Sequence, residues 1–454
     1  MAVMHEPAGN LAKKRPSLRE ALAVYGKRRV LIVLLLGFSS GLPIVLVGST
    51  LQAWMTRSGV DVRTIGLFAA VGIPYSIKFL WAPFADALDI PLLSPLLGRR
   101  RGWLLFTQLW LMAAIVLLGL TNPAVSAWIV AAGALFVATA SATQDIIIDA
   151  FRVESLDESE QAAGLASYIA AYRIGALVSG AGALLLVNWL RGAVGERTAW
   201  SAGYAIMAAL IVVGMIATLL ATEPERSGAV AAEHEQKAAR ENWLKRAFRS
   251  AVEAFRDFLS RELAFAVLLF VTLFKLADAL AFSLSTNFIL GLGFSLAQIA
   301  TIRNGIGFVA TLLGGFTGGF IARALPLSVS LWIGGLLQTL MILCFSWQAY
   351  VGMNPAMLTL TTTIEFFTDA LGSVIFVAYL SVLCKNPLYT ATQFALLNAL
   401  AALGRTFFSV GSGYIEHVTG WVWFFIVCAF AGVPALSLLA WLQRRRHFDG
   451  LPQA

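Results

Sequence analysis

The sequence predicts an all-α integral membrane protein, with about twelve transmembrane helices arranged as two similar six-helix halves. Three observations predict it. Of 454 residues, 59% are hydrophobic and only 13% charged, whereas a soluble domain carries about a quarter charged residues. The apolar residues fall into runs of roughly 20, the length that crosses about 30 Å of hydrocarbon at 1.5 Å per residue. Segments of the first half recur in the second at a near-constant shift.

Spans are expected near 30–55, 63–86, 102–121, 126–150, 160–187, 199–221, 263–290, 298–321, 326–348, 356–384, 390–415 and 420–443. The first run, Leu31 to Met55, is longer than a signal-peptide core and no small-residue cleavage site follows it, so it is expected to be retained. An even number of spans puts both ends on one side. On that side lie twenty-four Lys and Arg, among them Lys13, Lys14, Arg15, Lys27 to Arg29, Arg99 to Arg101, Arg152, Arg323, Lys385 and Arg444 to Arg446. The opposite side has four: Arg57, Arg63, Arg191 and Arg197. Excess Lys and Arg marks the cytoplasmic side, so both termini are expected there. The net charge of +8 is then a topology signal, and nucleic acid is not an expected partner.

The expected units are a six-helix bundle over 1–222, a cytoplasmic linker over 223–262 and a second bundle over 263–454. Within the linker, Trp243 to Leu259 has apolar residues at helical spacing with basic residues between them. That pattern suits a helix lying along the inner membrane surface; a solvated linker helix is the alternative. The repeat shows in Gly59 to Gly66 against Gly293 to Ala300, and in Ala171-Tyr-Arg173 against Leu403-Gly-Arg405. Parallel six-span repeats are the build of the major facilitator superfamily fold, whose halves rock about a central site.

Asp86 ends span 2, and Gly98-Arg-Arg-Arg-Gly102 opens span 3. An acid meeting Arg99, Arg100 and Arg101 could hold helix ends in one conformation and release them in another; membrane anchoring explains the arginines alone but not the acid. Gly314, Gly315, Gly318 and Gly319 in span 8 form two overlapping small-xxx-small pairs, and Gly175, Gly180 and Gly182 line span 5. These positions let helix backbones approach closely.

Charge inside a span costs roughly 2.5–3.5 kcal/mol on insertion scales, which makes each such residue a functional candidate. The basic ones are Lys78, Arg173, Lys275, Arg303 and Arg405; the acids are Asp86, Asp145, Asp149, Asp278, Glu365 and Asp369. Lys275 and Asp278 share a helical face and form either a static pair or one that exchanges a proton. Proton-coupling candidates are therefore Asp278, Glu365 and Asp369. Candidate substrate contacts are Gln52, Tyr75, Gln144, Asp145, Tyr172, Arg173, Lys275 and Asn287. Asp149 and Arg152, toward the inner surface, join Asp86 and the three arginines as gating candidates.

No phosphate-binding G-x-x-x-x-G-K-[ST] loop and no metal-ligand cluster occurs in the sequence. His5, His234, His417 and His447 lie outside helix centres, and Cys344, Cys384 and Cys428 form no short motif. No catalytic residue, metal or cofactor is expected, and ion-gradient coupling is the expected energy source.

Several segments resemble the AmpG-type muropeptide permeases of the major facilitator superfamily. They are Phe38-Ser-Ser-Gly-Leu-Pro43, Thr50-Leu-Gln-Ala-Trp-Met55, Lys78-Phe-Leu-Trp-Ala-Pro83, Gly98-Arg-Arg-Arg-Gly-Trp-Leu-Leu105, Gln144-Asp-Ile146 with Asp149-Ala150, Tyr172-Arg173, Lys275-Leu-Ala-Asp-Ala279 and Ala391-Thr-Gln-Phe-Ala-Leu-Leu397. The resemblance runs through spans 1 to 11 in order and departs at Thr301-Ile-Arg-Asn-Gly305. It implies proton-driven import of N-acetylglucosaminyl-1,6-anhydro-N-acetylmuramyl peptides across the bacterial inner membrane, for peptidoglycan recycling, linked in some bacteria to beta-lactamase induction. The implied partners are the muropeptide, protons and membrane lipid, with the chain a monomer. Peptide carboxylates would suit Arg173 and Lys275. Alternatives are a facilitator carrier for a sugar, peptide, drug or acetyl-CoA-like substrate, a membrane-embedded transferase, and a sensor that moves nothing.

Overall fold

Ten helices among the described residues are long and apolar enough to cross a membrane, and two more complete the expected twelve. The structure is a computed structural model that describes residues 23–82, 88–157, 160–224, 256, 259–260, 262–383 and 390–449. In chain order the helices are α1 (Arg28–Arg57), α2 (Val62–Ile77), α3 (Arg99–Leu120), α4 (Ala127–Ser155), α5 (Ala163–Val194) and α6 (Glu196–Leu220). The second half holds α7 (Ala264–Gly291), α8 (Leu296–Ala324), α9 (Leu327–Val351) and α10 (Pro355–Leu383), then α11 (Thr390–Val410) and α12 (421–444).

The last boundary depends on one glycine. By hydropathy Ser412–Arg444 reads as a single rod, but Gly420 inside it has φ 71 and ψ 163, which only glycine adopts without strain. Residues 412–419 therefore prolong α11, and the chain turns back at Gly420. Gly195, at φ 80, makes the corresponding turn between α5 and α6; α5 runs seven residues past its expected end at 187 to reach it.

Aromatic side chains pack the interior of each half, within one apolar core that continues from the first to the second. Trp54, Trp200 and Tyr204 stack in the first, with Trp54–Trp200 centroids 5.8 Å apart. Phe288, Phe345, Phe424 and Phe425 interlock in the second. Large apolar side chains such as Trp189, Phe316 and Phe320 lie more than 70% exposed. On helices of this length they form a lipid-facing surface.

The proximal face carries the start of α1 and the end of α12; the distal face is the other. Near the proximal face Lys27 Nζ donates to Glu160 Oε1 at 2.7 Å. That hydrogen bond holds the Glu160 carboxyl below its ordinary value of 4.5, against burial, which would raise it. A depressed carboxylate stabilises the fold above its unfolded pKa and loses that contribution as pH falls through the folded value, so below about 4.5. Lys27 is half exposed, and screening limits the pair to about 1 kcal/mol or less. Thermal unfolding should separate Glu160→Gln from the parent near neutral pH, with the difference vanishing on acidification below pH 4.5.

Expectations at His5, Lys13, Lys14, Arg15, Asp86, His234, Cys384 and Lys385, and most of the surface helix of the linker, fall outside the described residues.

Candidate substrate and ion-coupling site

The helices that meet between the halves are not regular, and the breaks at Gly48 and Lys275 border one space. Gly48 interrupts α1 with φ −93 and ψ −112. Lys275 and Leu284, at φ −101 and −112, divide α7 into three pieces. Wide π-type turns occupy 178–182 of α5 and 299–306 of α8. Such irregular backbone is tolerated at membrane depth where it borders a cavity. The cavity here has a volume of about 390 Å³ and is walled by α1, α2, α7, α10 and α11.

Its two walls differ in chemistry. The first half contributes apolar or neutral side chains, including Leu51, Gln52, Met55, Phe68, Val71 and Tyr75. All the charge comes from the second half: Lys275, Asp278, Glu365, Asp369 and Arg405. Lys275 Nζ lies 3.2 Å from Asp278 Oδ2 and 2.9 Å from Asp369 Oδ1. The acids are not equivalent, since the Asp278 side chain is 10% exposed and that of Asp369 52%. Glu365 accepts a two-pronged pair of bonds from the buried Arg303, at 2.7 and 2.9 Å, and Arg303 also sits over the Phe366 ring. Bidentate pairing of this kind is strong and fixed in geometry.

A second polar cluster lies within the first half. Ser40 Oγ donates to Asp145 Oδ1 at 2.5 Å and meets Tyr168 Oη at 2.9 Å, while Lys78 Nζ stands 3.6 Å from Asp145 Oδ2. Gln144 is fully buried and donates to Ser39 Oγ.

The distal end is closed between the halves. Gln52 Nε2 donates to the Ser283 carbonyl oxygen, and Asn287 Nδ2 donates to Thr56 Oγ1 at 3.0 Å. Beside them α2 and α11 touch backbone to backbone, where a Cβ on Gly66 would lie 2.8 Å from the Gly413 nitrogen. Asn287→Ala removes one of these bonds, worth about 1 kcal/mol. Labelling of a Leu51→Cys cavity reporter from the distal side should then rise about fivefold. Unchanged labelling would show that this bond does not hold the gate.

The expected site residues thus separate. Gln52, Tyr75, Lys275, Asp278, Glu365 and Asp369 line the cavity. Asn287 belongs to the distal closure, Gln144 and Asp145 to the first-half cluster. Tyr172 packs near Tyr168, and Arg173 is exposed away from the cavity-lining set. In the gating group, Arg152 pairs with Asp149 on its own helix at 3.7 Å. Arg99 and Arg100 meet Glu154. Glu223 accepts the backbone N–H groups of Arg100 and Arg101 at 2.8 and 3.0 Å, an acid seated at the α3 N-terminus where the helix dipole favours it. Arg101 in turn donates to the Thr218 and Leu219 carbonyls that end α6. The described acids against these arginines are therefore Glu154 and Glu223.

Residues 33–409 match the family model of the Major Facilitator Superfamily. The chain is 38% identical over 420 residues to the anhydromuropeptide permease of Escherichia coli K12, covering 92% of this chain and 80% of that one. It is 32% identical over 422 residues to a putative transporter, AmpG 4, of Rickettsia felis, covering 93% and 98%. The chain belongs to the AmpG-type permeases of the major facilitator superfamily. It is a membrane transporter and not an enzyme. Solved structures agree on the fold: the nucleoside transporter NupG superposes with a TM-score of 0.69 at 14% identity, over 91% of this chain and 99% of that one. A D-xylose–proton symporter gives 0.66 at 14% identity, over 91% and 97%.

Sequence reasoning passed over Ser40, Tyr168, Glu154, Glu223, Ser283 and Thr56. Glu223 carried a usable signal, as an acid in the first turn beyond an apolar span. The Ser283 contribution is a main-chain carbonyl, which no side-chain pattern reveals.

Proposed function

We propose that this permease imports anhydromuropeptides from periplasm to cytoplasm across a bacterial inner membrane, driven by the proton gradient, with both termini cytoplasmic. The observation that carries the substrate class is the 38% identity across 92% of the chain to the anhydromuropeptide permease. The cavity suits such a molecule. Phe68, Phe282 and Tyr75 offer faces for a sugar ring, and the charged wall offers partners for a peptide. With the proximal face cytoplasmic, the distal closure makes this an inward-facing arrangement.

For coupling, the reading rests on a balance of charge. Lys275, Arg303 and Arg405 stand against Asp278, Glu365 and Asp369. An anionic substrate adds negative charge to a balanced, low-dielectric cluster, and a co-transported proton offsets it. Asp369, being half exposed, is the acid that exchanges protons with the cytoplasmic side. Lys275 then shifts its weight between Asp369 and Asp278. Proteoliposomes holding the purified protein should accumulate labelled anhydromuropeptide under an imposed proton gradient and lose that accumulation on adding a protonophore. Absence of uptake would remove the substrate assignment; uptake indifferent to the gradient would remove the coupling.

A further inference from the structure

Two cations line the cavity, Lys275 and Arg405, and they stand in opposite conditions. Lys275 is buried and already engaged by two carboxylates. Arg405, in the middle of α11, is exposed into the cavity. Among the described residues no carboxylate lies within ion-pair distance of it. Asp369 is near enough to feel its charge, but that carboxylate is held by Lys275. A guanidinium with no carboxylate in direct contact inside a span is expensive. It also presents a planar fork of donors that matches a carboxylate in two bonds.

The opposite wall supplies a second observation. Tyr75 lines the same cavity together with the uncharged Gln52, Met55 and Phe68. The cavity therefore presents a cation with no carboxylate in ion-pair contact on one side and an uncharged, partly aromatic wall on the other.

We infer that Arg405 is the anion-recognition residue of the cavity and receives a carboxylate of the substrate's peptide, while the neutral wall containing Tyr75 receives its sugar. This gives Arg405 the carboxylate role that residue type alone assigns equally to Arg173 and Lys275. The name of the substrate rests on the reading above; the subsite chemistry does not.

Phenylglyoxal labelling of the full-length protein, mapped by peptide mass spectrometry, tests it. Arg405 should react in the empty protein. Anhydromuropeptide should protect it about tenfold or more, as expected for a charge-assisted bidentate contact, and the same molecule with its carboxyl groups amidated should not. Equal protection by both compounds, or by neither with free acyl-dipeptide carboxylate also inactive, overturns the inference. Protection by the acyl-dipeptide but not by the muropeptide leaves the subsite standing and removes the substrate assignment. In uptake, Arg405→Gln should raise KM for the carboxylate-bearing substrate about tenfold, with unfolding temperature unchanged because no ion pair is lost. A KM unaltered by this variant also overturns the inference.

Discussion

Lys275→Ala is expected to abolish uptake and to lower the unfolding temperature. Lys275 stands between two acids at 3.2 and 2.9 Å, with 8% of its side chain exposed. Removing it leaves Asp278 buried with no counter-ion. Breaking a buried pair from one side costs about 3–5 kcal/mol, most of it the penalty on the orphaned charge. Asp369 is half exposed and water shares its burden, so the lower end, about 3 kcal/mol, is expected. The double variant Lys275→Ala/Asp278→Asn should recover most of the stability, because an amide needs no counter-ion, yet remain without transport. Thermal unfolding in detergent and proteoliposome uptake separate the two effects. Parent-like unfolding of Lys275→Ala, or no recovery in the double variant, would contradict the geometry.

How much of this was legible beforehand differs between fold and site. Hydropathy placed the twelve helices, because lipid imposes one length on every span. The spans expected at 390–415 and 420–443 divide at Gly420, where the backbone turns although hydropathy runs on through Ser412–Arg444. Lys275 with Asp278 was legible because three residues apart means one face. Their third partner, Asp369, was legible as a charge but not as a neighbour: it lies 94 positions further along the chain, and only packing of α10 on α7 joins them. Gln144 misled, because a polar side chain at depth can face inward to its own bundle as readily as toward a central cavity. Arg303 shows the same limit in reverse. It stood out by its cost, and only the fold reveals that Glu365 answers it.

Gly314→Val should prevent stable folding, while Gly315→Val, one residue away, should leave the fold intact. The sequence offers two overlapping glycine pairs in α8, and pattern cannot choose between them. The helix can, because adjacent residues point about 100° apart. Gly314 and Gly318 face α10: a Cβ on Gly314 would overlap the Phe367 carbonyl oxygen, and one on Gly318 would lie 2.6 Å from that of Leu371. Gly315 meets nothing within 4 Å, and Gly319 meets only the end of the Val374 side chain. The obstacle at Gly314 is backbone, which cannot rotate aside as a side chain does. Overpacking usually costs about 1–3 kcal/mol, but here the two helices must separate along their shared length, so the upper end or beyond is expected. Gly37 and Gly41 of α1 meet α5 in the same way, at the backbone of Tyr168 and Tyr172. These two seams, α1 against α5 and α8 against α10, keep each half rigid. That rigidity is what lets a change in charge at Lys275 be expressed as movement between the halves rather than as local distortion. Yield of monodisperse protein after extraction and its unfolding temperature decide the matter. Equal behaviour of the two valine variants would mean that the α8–α10 seam is looser than described.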